Sequence, residues 1–208
     1  MIENSYELFY YTTAAMGNSW SHKDIIDEDR LSTYAELTFL KRKQIVRIIY
    51  LLDNVDPGKL RENLQHRFAA EQIDVILPQI QCSPFRDSIY RVFSSQKDNH
   101  LSLEDVLDLY SAFCGDCPDE VRTSWAFYIF DLDGDNIIST DDLIEAVKKL
   151  AGCEREDADI IEDEQAEHIA ELVLKEMVFN RAATISREEF THFVARIPEF
   201  FSAFHFRI

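Results

Sequence analysis

The stretch Asp131-Leu-Asp-Gly-Asp-Asn-Ile-Ile-Ser-Thr-Asp-Asp142 sets three aspartates at alternate positions of a short polar loop between two apolar segments. Side chains at loop positions 1, 3 and 5 converge on one point, and oxygen donors at 7, 9 and 12 complete the shell that a hard cation needs. Here those positions fall on Asp131, Asp133, Asp135, the carbonyl of Ile137, Ser139 and Asp142. Three like charges at this spacing repel one another unless a cation lies between them. The loop therefore reads as a site for Ca²⁺ or Mg²⁺.

Two positions depart from the commonest pattern. Asn136 stands where the backbone turns with positive φ and Gly is usual, and Asn is the best non-Gly residue for that conformation. Asp142 replaces the longer Glu at position 12, which favours one carboxylate oxygen over two and so suits the smaller ion, Mg²⁺.

Outward from the loop, the pattern is helical. Ala126, Phe127 and Phe130 before it, and Leu143, Ala146, Val147 and Leu150 after it, fall on the inward faces of two helices. Ile45, Ile48, Ile49 and Leu52 mark a buried stripe of an earlier helix over 41–53. Further helices are read at 29–37, 84–93, 103–113, 118–130, 141–150, 164–177 and 187–195, with Pro84 and Pro118 at helix starts and Pro198 as a stop. Loops ending near Asp105, Asp142 and Glu189 repeat at 37 and 47 residues, the longer interval holding an acidic insertion at 154–164. The expected fold is all-α: four EF-hand-like helix-loop-helix units in two lobes, with short β strands where neighbouring loops pair.

Only one loop is intact. The loop over 178–189 begins with Val178 and has Ala182 and Ala183 at positions 5 and 6, leaving Asn180, the Thr184 carbonyl, Ser186 and Glu189 as donors. Ile185 at its position 8 can still pair with Ile138. The loop over 94–105 is similarly depleted and carries Lys97. The expected division is a flexible tail over 1–27, an amino-terminal lobe over 28–115 with degenerate hands, a carboxy-terminal pair over 116–197, and an aromatic segment over 198–208.

The chain carries 21 Lys and Arg against 39 Asp and Glu, a net charge of −18 that repels phosphate backbones and anionic lipid. Nucleic acid is not an expected partner. No secretory signal is visible, and no apolar run approaches the roughly 18 residues that a membrane helix needs. The protein is expected in the cytoplasm with its four cysteines reduced. Cys114-Gly-Asp-Cys117 is a C-x-x-C, with Cys117 near a helix start, so a thiol-redox or zinc protein is the alternative. Asp116, Asp119 and Glu120 oppose a reactive thiolate, and ordinary surface cysteines are the expectation. No catalytic constellation emerges, and the chain reads as a binding module.

Several segments resemble the calcium- and integrin-binding protein family. They are Tyr34-Ala-Glu-Leu-Thr-Phe-Leu40, Pro84-Phe-Arg-Asp-Ser-Ile-Tyr-Arg-Val-Phe-Ser94, Leu101-Ser-Leu-Glu-Asp-Val-Leu-Asp-Leu109, the run from Trp125 into Asp135, and the ending Pro198-Glu-Phe-Phe-Ser-Ala-Phe-His-Phe-Arg-Ile208. The resemblance covers 31–208. It implies four hands with metal in the third and fourth loops, and Asp at position 12 of the third; this chain keeps the third loop and departs at the fourth. It further implies binding of helical cytoplasmic tails of membrane proteins, such as integrin α or transmembrane channel-like subunits, in an apolar groove partly covered by the carboxy-terminal segment. Phe200, Phe201, Phe204 and Phe206 fit either core residues or a plug for such a groove. Finally, Met16-Gly-Asn-Ser-Trp-Ser21 matches an amino-terminal myristoylation acceptor. A form starting at Met16 would carry the lipid on Gly17, and the membrane would otherwise be reached only through a partner.

Overall fold

The computed structural model describes residues 21–152, 161–177, 184–197 and 200. Gly17 and Met16, the acidic insertion up to residue 160, the first half of the fourth loop and the aromatic segment other than Phe200 lie outside the described residues.

A 3₁₀ turn over His22–Asp24, capped by Ser21, leads into α1 (Glu28–Leu37), whose first turn is capped by the Asp27 carboxylate. Ile26 is buried between them. Residues 21–27 thus pack onto the folded part through Ile26. Helix α2 (Arg42–Val55) follows, with Ile45, Ile48, Ile49 and Leu52 all fully buried as their spacing requires. At about 1.5–3 kcal/mol per buried aliphatic side chain, this stripe is a principal anchor of the amino-terminal core. Asp56-Pro-Gly58 ends the helix, with Gly58 at φ 85°.

The next region was not legible as helix-loop-helix. It contains α3 (Lys59–Glu62), β1 (Phe68–Ala69), α4 (Ala70–Ile76) and α5 (Pro78–Gln81) before α6 (Arg86–Phe93). Strand β1 pairs antiparallel with β2 (His100–Leu101), matching Phe68 to Leu101, so a first hand precedes the second and shares its loop pairing. α7 (Leu103–Ala112) completes the second hand.

In the carboxy-terminal half, α8 (Asp119–Phe130), β3 (Ile138–Ser139) and α9 (Thr140–Gly152) form the third hand. α10 (Asp163–Met177), β4 (Thr184–Ile185) and α11 (Arg187–Val194) form the described parts of the fourth. β3 and β4 pair antiparallel with Ile138 opposite Ile185, as the position-8 spacing predicts. Leu143 and Ala146 are buried, but Leu150, read as inward-facing, is 52% exposed.

Two apolar cores result, one built mainly on the first two hands and one on the last two. Phe130, the residue before the metal loop, packs against both: its ring lies 4.8 Å from Phe85 on one side and 6.0 Å from Phe190 on the other. Among the described residues, no helix is long and apolar enough to cross a membrane.

Candidate metal centre

The third loop takes the shape its sequence demands. Gly134 and Asn136 both have positive φ, at 78° and 70°, so Asn136 does occupy the turning position. The Asp131 carboxylate, 1% exposed, accepts backbone N–H bonds from Gly134, Asp135 and Asn136 at 2.9, 3.2 and 3.0 Å. Asp133 and Asp135 accept N–H bonds two residues onward, from Asp135 at 3.1 Å and Ile137 at 3.0 Å. Each bond pins one aspartate against its own loop.

One oxygen from each of Asp131, Asp133 and Asp135 lies within 4.8 Å of the other two. Two unit charges at that distance repel by about 1 kcal/mol in bulk water, and by several kcal/mol at the lower effective dielectric of a partly buried site. Burial is the main force raising the Asp131 pKa above its ordinary value; the N–H bonds from Asn136 and Gly134 oppose it, and repulsion from Asp135 and Asp142 adds to it. A divalent cation among these oxygens would reverse that penalty, and an all-oxygen donor set of this kind fits Ca²⁺ or Mg²⁺.

Asp142 stands apart from the cluster. Its Oδ1 accepts the Leu132 N–H at 3.0 Å, while Oδ2 accepts the Ser139 N–H at 2.8 Å and the Ser139 hydroxyl at 2.6 Å. Ser139 in turn accepts the Asp142 N–H at 3.2 Å, a reciprocal cap at the start of α9. Position 12 therefore ties the two ends of the loop together through Leu132. The fourth loop repeats the cap with Ser186 and Glu189, whose bonds are 3.0 Å to the Ser186 N–H and 2.9 Å to its hydroxyl. Asn180 lies outside the described residues.

One participant was missed from sequence. Arg91, on α6, donates from Nη2 to the carbonyls of Tyr128 and Asp131 at 3.0 and 2.6 Å. A Cβ at Gly134 would lie 3.2 Å from Arg91 Nη1. A guanidinium from the second hand thus caps the end of α8 and presses on the third loop. Only its helical amphipathicity was visible in the sequence; its reach of 37 to 40 residues was not.

The cysteines differ from expectation. Cys114 and Cys117 are buried, at 2% and 4% exposure, rather than on the surface. Burial pushes the Cys117 thiol up to about 11, with Arg122 opposing. Their Sγ atoms approach the carbonyls of Phe39 and Pro118 at 3.6 Å each. A low-pKa redox thiolate requires the opposite environment.

With this geometry in view, the comparisons with known proteins are informative. Calcium and integrin-binding family member 2 of Drosophila melanogaster is 30% identical over 187 residues, covering 87% of this chain and 95% of the relative. The chain belongs to the calcium and integrin-binding family. Member 3 of Homo sapiens is 28% identical over 200 residues, covering 93% of this chain and all of the relative, and member 3 of Mus musculus is 33% identical over 132 residues. No family model matches the chain. Membership agrees with the paired hands described above.

Proposed function

We propose that this member of the family is a divalent-cation-binding adaptor, not an enzyme, with one working ion site in the third loop. The ion is held by Asp131, Asp133, Asp135, the Ile137 carbonyl, Ser139 and Asp142. The observation that carries this reading is the convergence of the first three carboxylates within 4.8 Å around a loop already turned at Asn136. Binding requires little rearrangement beyond freeing one Asp142 oxygen from its cap. The short Asp142 side chain favours Mg²⁺ at resting ion levels and a modest preference for Ca²⁺ when it rises.

The names of the relatives supply the partner class: calcium and integrin binding. In this reading the cation-loaded carboxy-terminal lobe, over 116–197, accepts an apolar helix from the cytoplasmic tail of a membrane protein, an integrin α subunit or a channel subunit. The 28–115 lobe serves as its support. Phe200 packs edge-on to Phe190, ring centroids 6.1 Å apart, and in this reading the 198–208 segment competes with the partner helix for that apolar core. The protein works in the cytoplasm and at the plasma membrane, through its partner or through myristate on Gly17 of a form starting at Met16. One acyl chain binds a membrane only marginally, with an association constant of about 10⁴ M⁻¹, so the partner is the second anchor.

Calorimetric titration of the full chain with Ca²⁺ and Mg²⁺ tests the site, and capture on immobilised integrin α tail peptides in each ion tests the partner. One site that disappears in Asp131→Ala, and ion-dependent capture, are expected. Two tight calcium sites, or binding unchanged by Asp131→Ala, would refute the assignment.

A further inference from the structure

The second loop, read from its sequence as depleted of ligands, is held by a cation of its own. Pairing of Phe68 with Leu101 sets Leu101 at position 8, which places Ser94 at position 1, Asp98 at 5, the His100 carbonyl at 7 and Asp105 at 12. All four of these groups bond one guanidinium. Arg67 Nη2 donates to Ser94 Oγ at 3.1 Å, to Asp98 Oδ1 at 2.8 Å and to the His100 carbonyl. Its Nη1 donates to Asp105 Oδ2 at 3.1 Å and to Ser95 Oγ at 3.1 Å.

The surrounding loop keeps the features of a metal loop. Asn99, at position 6, has φ 58°, matching Asn136 in the third loop at 70°. Ser102 and Asp105 make the same reciprocal cap as Ser139 and Asp142, at 3.1 and 2.9 Å. The Arg67 side chain is only 15% exposed, and Asp105 8%. The hydrogen bond from Arg67 holds the Asp98 carboxyl well below the usual carboxylate range. A guanidinium is planar, carries several donors in a fixed fork and stays charged at any physiological pH, so it can satisfy several oxygens at once as an ion would. Unlike an ion, it does not dissociate.

We propose that Arg67, at position 7 of the first loop, stands in for the divalent cation of the second loop, fixing the amino-terminal hand pair at every calcium and magnesium concentration. The second loop is then a latent cation site. This assignment is independent of the ion proposed for the third loop.

Two measurements on the full chain test it. In Asp131→Ala, whose third loop is disabled, hydrogen exchange of amides in 94–105 is expected to be the same in excess chelator and in millimolar Ca²⁺; protection that rises with calcium would overturn the proposal. The second measurement compares Asp131→Ala with Asp131→Ala/Arg67→Met, so that the third loop contributes to neither. The Arg67→Met change should lower the melting temperature in chelator by about 10 °C. At about 10 mM, Ca²⁺ should recover about 3–6 °C of that loss with a dissociation constant on the order of millimolar, and native mass spectrometry should count one additional bound Ca²⁺. A double variant that takes up no calcium, whatever its stability, would overturn the proposal and make Arg67 an ordinary ion-pair partner. Should the double variant fail to fold, the exchange measurement on Asp131→Ala still decides.

Discussion

Replacing Arg91 with Met should move stability and ion affinity in opposite directions. The substitution removes two charge-assisted bonds, at 3.0 and 2.6 Å, to the carbonyls of Tyr128 and Asp131. Hydrogen bonds from charged donors contribute about 1.5–3 kcal/mol each, and water reaches this half-buried site in part, so a net loss of about 2–4 kcal/mol is expected without divalent ions. The electrostatic effect has the other sign. The guanidinium sits one residue's reach from the ion position, and a unit charge repels a divalent ion at about 8 Å by about 1 kcal/mol even at the dielectric of water. Removing it should tighten Ca²⁺ binding about fivefold at low ionic strength, the gain shrinking as salt screens the repulsion. Urea unfolding in chelator measures the first effect, and calorimetric titration at low and high salt the second. Calcium binding that weakens in step with stability would refute the electrostatic reasoning and show that Arg91 acts only by shaping the loop.

Other outcomes follow from single contacts. Ile185→Ala, at a fully buried strand position opposite Ile138, should cost about 2–5 kcal/mol in unfolding free energy and weaken ion binding in the third loop, although the fourth loop is not needed as a ligand source. Denaturant melts and ion titration read both. In native protein near pH 7.5, peptide mass spectrometry after alkylation should find exposed Cys82 modified well before buried Cys114 and Cys117. Asp98 has its pKa depressed by folding, so its contribution to stability is full above the ordinary carboxylate range and is lost as pH falls through that range and below. The urea midpoint difference between wild type and Asp98→Asn should therefore be constant above about pH 5 and narrow towards pH 3.

The third loop was legible because its chemistry is local. Three alternating aspartates, an asparagine able to take positive φ and an isoleucine at position 8 are all contained in twelve consecutive residues. The stripe from Ile45 to Leu52 was legible for the same reason, its period being set by one helix. The first hand was not, because its loop has no carboxylate at positions 1, 3, 5 or 12, which hold Arg61, Asn63, Gln65 and Gln72. Its remaining signal was slight: Gln72 Oε1 accepts the Ala69 N–H at 2.9 Å, the position-12 to position-9 bond seen in the other loops. Arg67 and Arg91 were hidden for a different reason. Each acts on groups 27 to 40 residues away in sequence, and nothing in the local pattern of an arginine says which oxygens it will meet. The burial of Cys114 and Cys117 was misjudged because their polar neighbours Asp116 and Asp119 suggested an exposed turn, whereas the turn folds its thiols inward.

Phe130 couples the two cores, and cooperative unfolding is the expected consequence. A pair of lobes joined only by a linker can melt in two steps, each core failing at its own temperature. Here the ring that precedes Asp131, the first residue of the candidate metal loop, is packed into both cores at once, between Phe85 and Phe190. Neither core can open without uncovering an aromatic face that the other one needs, so heat should take the two lobes apart in a single calorimetric transition. An ion bound one residue away then raises the midpoint of the whole molecule.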